Sequence, residues 1–185
     1  MASSMLSQEM KSQKSVCGAP QVSDTFEFVN KRKLIFKQQI ESKQTQFKFD
    51  RVFSDAETQK DVYNEVKDVV KSALDGQNVC IFAYGQTGSG KTYTMQGDRG
   101  DPSKRGIIQR AVSALIKRHK ENLQADPSSR LKVSCFEIHI ETVCDLLTNT
   151  KQTQLMTNSE WSPFEMEVND ESDVHSVLAE AFKNR

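Results

Sequence analysis

Residues 79–97 read Val79-Cys80-Ile81-Phe82-Ala83-Tyr84-Gly85-Gln86-Thr87-Gly88-Ser89-Gly90-Lys91-Thr92-Tyr93-Thr94-Met95-Gln96-Gly97. The first six carry no charge and mix β-branched, aromatic and small side chains. Such a run predicts a strand covered on both faces, as in a parallel sheet. Gly85 to Thr92 then fits G-x-x-x-x-G-K-[ST]. The glycines permit backbone angles that a Cβ forbids, so that successive N–H groups can converge on phosphate oxygens. A helix starting at the end of the loop adds its positive N-terminal end. Lys91 brings a full charge to the β/γ-phosphates, and the Thr92 hydroxyl is placed to ligate the magnesium that accompanies them. The pattern predicts a site for a nucleoside triphosphate with Mg2+.

Outward from the loop, elements of the two periods alternate. Asp55 to Asp75 has helical spacing, with Val62, Val66, Val69, Val70, Ala73 and Leu74 on one stripe. Ser54 or Asp55 is expected to cap its start and Gly76 to end it in the left-handed conformation. Upstream, Phe26 and Phe28 face Leu34-Ile35-Phe36 across Val29-Asn30-Lys31-Arg32-Lys33, a hairpin with a basic turn. Phe47, Phe49, Val52 and Phe53 continue as an extended segment. Downstream, Gln96 to Arg105 reads as an exposed loop, Ile107 to Lys120 as a helix and Asp126-Pro127-Ser128-Ser129 as a turn. Leu131 to Ile140 reads as a strand, Val143 to Leu147 as a short apolar segment, and Asn169 to Lys183 as a closing helix. The order implies an α/β fold.

The 185 residues suffice for one domain. Residues 1–24 lack periodicity and are expected to form a loose tail, leaving 25–185 as the domain. Lys+Arg and Asp+Glu balance at 25 each, which argues against a broad nucleic-acid binder. Cys17, Cys80, Cys135 and Cys144 show no C-x-x-C pairing and are expected to be reduced, buried thiols. His119, His139 and His175 are too dispersed for a zinc site. No signal-peptide pattern or membrane-length apolar run is present, so a cytosolic or nuclear protein without a membrane partner is expected.

Hydrolysis requires more than a phosphate cradle: an acidic second contact to magnesium and a residue that positions water. Glu141 and Asp145 are the downstream candidates for the acid, each with the alternative of a surface charge or cap.

Ile81 to Met95 resembles the phosphate-loop signature of kinesin motor domains. Phe47-Lys48-Phe49-Asp50-Arg51-Val52-Phe53 is similar to that family's F-x-F-D-x-V-F element. Tyr63 and the helix around it match the helix that follows in the family. Gly106-Ile107-Ile108-Gln109-Arg110-Ala111 is similar to its G-I-I-P-R segment. Val133-Ser134-Cys135-Phe136-Glu137-Ile138-His139 with Asp145-Leu146-Leu147 resembles V-S-x-x-E-I-Y…D-L-L. Leu74-Asp75-Gly76-Gln77-Asn78-Val79-Cys80-Ile81 most resembles the C-terminal-motor, minus-end-directed kinesins.

The resemblance implies a P-loop NTPase-type fold, a mostly parallel sheet with flanking helices, and an ATP-driven motor that binds microtubules on the cytoplasmic cytoskeleton. It implies that Gly85 to Thr92 hold ATP and Mg2+, that Tyr93 lies against the adenine, and that about Lys151 to Val168 faces tubulin. Three departures accompany it. Residues 1–44 contain no R-x-R-P motif. Ile140 stands where the family has asparagine in E-I-Y-N-E. The sequence ends at Asn184-Arg185, before the N-x-x-S-S-R-S-H and D-L-A-G-S-E switch segments, so it corresponds to roughly the first half of a motor domain. Two functions follow: a kinesin-like ATPase motor, or a catalytically inactive nucleotide- or tubulin-binding module. Half a motor sheet is also expected to leave strand edges and apolar faces uncovered.

Overall fold

A computed structural model describes residues 25–37, 44–98, 100–152 and 162–185. The expected tail and residues 153–161 of the Lys151–Val168 segment lie outside the described residues. The chain divides into two compact units, Met1–Ala111 and Val112–Arg185.

In the first unit, β1 (Phe26–Asn30) and β2 (Lys33–Lys37) form the expected hairpin, and β3 (Gln44–Lys48) adds to β2, all antiparallel. Cross-strand pairs Phe26↔Phe36, Phe28↔Leu34 and Leu34↔Phe47 gather the aromatics on one face. Leu34 is buried there. The other face carries Lys33, Lys37 and Lys48, with Glu27 paired to Lys37 at 2.7 Å.

Helix α1 (Gln59–Leu74) buries Val62 and Val70 from the apolar stripe and ends as expected, with Gly76 at φ +85. Its cap is Thr58, not Ser54 or Asp55. The Thr58 side chain accepts from Asp61 N–H, and the Asp61 carboxylate accepts from Thr58 N–H at 2.8 Å, a reciprocal capping box. Ser54 is engaged elsewhere, donating its N–H to Glu57.

Val79 to Tyr84 corrects a second expectation. The run makes no ladder with any described strand. It still has the period of an extended chain: Val79, Ile81 and Ala83 are half-buried while Cys80, Phe82 and Tyr84 face out, Phe82 at 72% and Tyr84 at 81% exposure. Hence Cys80 is an exposed thiol and not a buried one, whereas Cys135 and Cys144 are half-buried. Helix α2 (Lys91–Gln96) follows the loop. A link containing a 3-10 turn at Pro102–Lys104 leads to α3 (Ile107–Ala125), five residues longer than the predicted Ile107–Lys120 helix. Phe53, Val62 and Ile107 form the core of this unit, with Val66, Ile81 and Met95 packed against it. The glycine-rich loop is therefore tethered to one cluster from both ends, by Ile81 before it and Met95 after it.

In the second unit the predicted Leu131–Ile140 strand is two short strands with different partners. β4 (Lys132–Val133) pairs with β8 (Met166–Glu167), while β5 (Phe136–His139), β6 (Thr142–Asp145) and β7 (Thr150–Gln152) form a meander. Helix α4 (Glu171–Lys183) is capped by Asp170, which accepts from Asp173 N–H at 2.9 Å. Ile116, Val168, Val174 and Val177 form the core, with Leu131, Val133, Cys135 and Leu147 against it. The ladders among the described residues are antiparallel throughout; the parallel pairing expected around Val79–Tyr84 is not among them. Among the described residues no helix is long and apolar enough to cross a membrane.

Candidate nucleotide-binding site

The loop closes on itself through its lysine. Lys91 Nζ donates to the Gly85 carbonyl at 2.9 Å and to the Gln86 carbonyl at 2.6 Å. The ammonium of this half-buried lysine finds acceptors in these carbonyls; a phosphate offers full negative charge and is the stronger acceptor. Gly88 and Gly90 adopt φ +83 and +87, conformations an L side chain rarely takes, and Gly90 is the N-cap of α2. A Cβ at Gly85 would collide with the Ser89 hydroxyl. That hydroxyl is buried without a hydrogen-bond partner. The residues thus fit a phosphate group: two left-handed glycines give the backbone that such nests use, a cation spans the loop, and a buried hydroxyl has bonding capacity to spare. Thr92, in the first turn of α2, is exposed, and Tyr93 beside it is half-buried.

Helix α2 has only six residues and is held from outside. Thr94 is buried and its hydroxyl donates back to the Gly90 carbonyl at 3.1 Å. The Tyr93 carbonyl accepts from Gly97 N–H at 2.7 Å and from Gln59 Nε2 at 2.6 Å. Gln59, at the start of α1, is the residue that sequence reasoning missed. Its signal was a polar side chain on the apolar stripe, three residues before Val62.

Of the two acids proposed for magnesium, Asp145 is already engaged. Asp145 is 4% exposed and is not a surface charge. Its Oδ1 accepts from Leu147 N–H at 2.9 Å and Thr148 N–H at 3.1 Å, and its Oδ2 from Phe164 N–H at 2.6 Å. Burial alone would raise its pKa, but these backbone donors outweigh it and hold the carboxyl below its ordinary 3.8. It organises the turn after β6. Glu141 is exposed in the hairpin turn between β5 and β6, at φ +60.

A glycine cradle, a lysine spanning it and a helix started by G-K-T define a phosphate-loop protein of the α/β class. The description "kinesin motor domain" matches residues 4–185, and the chain belongs to that family. It is 46% identical over 106 residues to kinesin-like protein KIN-14M of Arabidopsis thaliana, covering 57% of this chain and 14% of that one. Kinesin-like protein KIFC1 of Rattus norvegicus is 49% identical over 110 residues, covering 58% and 16%. The kinesin-14 designation recurs among the relatives and agrees with the C-terminal-motor resemblance of Leu74–Ile81. A solved structure of a fast kinesin superposes with a TM-score of 0.72 at 26% identity, over 86% of this chain and 47% of that one. The fold is accordingly of the P-loop NTPase type. The chain spans about half of that solved chain and about a seventh of the curated relatives it matches.

Proposed function

We propose that this chain carries the nucleotide-binding part of a microtubule-based ATPase motor, with Gly85 to Thr92 as the site for ATP and Mg2+. The observation that carries the reading is the loop itself, with Gly88 and Gly90 left-handed and Lys91 drawn across it. The backbone amides of the loop and Lys91 would hold the phosphates, the Thr92 hydroxyl the magnesium, and Tyr93 would lie against the adenine. Bound magnesium would supply charge neutralisation at the transferring phosphoryl group. Lys91 would exchange neutral carbonyl acceptors for phosphate oxygens, a gain in charge-assisted bonding. Membership of the family supports microtubules as partner and the cytoplasmic cytoskeleton as location, and the resemblance supports reading Lys151–Val168 as a tubulin-facing lobe.

A second reading, a nucleotide- or tubulin-binding module without turnover, is favoured by the state of Asp145. Its carboxylate is consumed by three backbone donors, so it is a poor magnesium partner. Microtubule-stimulated phosphate release separates the two. The motor reading expects release by the purified chain above that of Lys91→Ala. A rate equal to that control supports the module.

A further inference from the structure

A six-residue helix cannot hold its own shape in water, since helices shorter than about 12–15 residues are marginal even in favourable sequences. Helix α2 carries Lys91 and Thr92 on its first turn, so whatever fixes it fixes them. Met95 packs against the first core, and Thr94 is buried. From another helix, 34 residues away in sequence, the Gln59 amide donates to the Tyr93 carbonyl at 2.6 Å. Gln59 is 3% exposed, and its Oε1 is buried with no partner. Leaving an acceptor unpaired in an apolar setting is costly. An aliphatic side chain on the same stripe would avoid that cost, so packing does not account for glutamine. The bond to Tyr93 does: it joins the first turn of α1 to the residue that directly follows Lys91 and Thr92.

We propose that Gln59 is a positioning residue for the nucleotide site: its amide anchors the short helix bearing Lys91 and Thr92 and so sets how tightly the loop holds a nucleotide. This rests on the nucleotide reading of Gly85–Thr92. Because Oε1 is unpartnered, Gln59→Met removes one hydrogen bond while roughly preserving volume. Gln59→Glu keeps the shape but replaces the donor with an acceptor facing the Tyr93 carbonyl.

Two readouts on the 185-residue chain test the proposal: affinity for N-methylanthraniloyl-ADP with Mg2+, and amide hydrogen exchange. Gln59→Met is expected to weaken binding about tenfold, and Gln59→Glu at least as much. Exchange over residues 91–97 should accelerate in both, with residues 62–74 of α1 unchanged. A purely space-filling role predicts wild-type affinity and exchange for the methionine variant, and that result overturns the proposal. If Gln59→Met fails to fold, Gln59→Glu is judged by the same two criteria. Wild-type affinity no better than that of Lys91→Ala would fail the nucleotide reading instead. Exchange over 91–97 would then decide the anchor alone, local acceleration supporting it and none refuting it.

Discussion

Ile140 and Glu141 turn the chain between β5 and β6 with φ of +45 and +60. Two positive φ angles suit asparagine or glycine in a two-residue hairpin, and a β-branched side chain is strained there. Ile140 is also 81% exposed, so burial offers nothing in compensation. Ile140→Asn should therefore stabilise the chain by about 1 kcal/mol, read as a raised urea midpoint; an unchanged or lowered midpoint would count against the strain. The substitution of isoleucine for the family's asparagine was visible in the sequence, but its cost becomes visible only in the backbone angle. Asp145 shows the reverse. The D-L-L resemblance marked the position, while its role depends on Phe164, 19 residues away, whose N–H it accepts. No local pattern encodes that contact. Asp145→Asn puts an amide donor in place of one acceptor oxygen and should cost about 2 kcal/mol. The wild-type carboxyl is depressed in the folded state. Its contribution is thus complete above its unfolded value and lost as pH falls through the lower folded value. The difference between wild type and Asp145→Asn should accordingly narrow on acidification, as urea unfolding at a series of pH values can check.

At the scale of elements, strong periodicity was legible and partnership was not. The stripe Val62, Val66, Val70 placed α1 within a few residues, but its cap moved to Thr58 because a reciprocal Thr–Asp pair outcompetes the earlier candidates. Val79–Tyr84 was legible as extended chain from its composition, yet a ladder requires a neighbour, and composition cannot supply one. The two pieces of the predicted Leu131–Ile140 strand diverge for the same reason, each following its own partner. Helix α2 shows how elements hold the site: Ile81, Met95 and Ile107 meet in one cluster around Phe53 and Val62. Ile107 is 5% exposed. Ile107→Ala should cost about 3 kcal/mol through lost burial and the cavity left behind, and should weaken nucleotide binding as Met95 loses its support. A variant with the wild-type urea midpoint would show that this cluster does not hold the unit together.

For the molecule as a whole, the family is secure because its signature runs along nearly the whole chain, residues 4–185. The glycine loop and the helix that follows it were legible, since the motif demands particular residues at fixed spacing. What the loop acts on is less local. Phe82 and Tyr84 expose large aromatic side chains on a run that pairs with no described strand. Phosphate binding is the task of a single loop, Gly85 to Thr92. The direct test is equilibrium binding of a fluorescent ADP analogue with Mg2+ to the purified chain and to Lys91→Ala. Saturable binding by the wild type, weakened at least about tenfold in the variant, is the predicted result. Equal affinities, or no saturable binding by a folded wild-type chain, would contradict it.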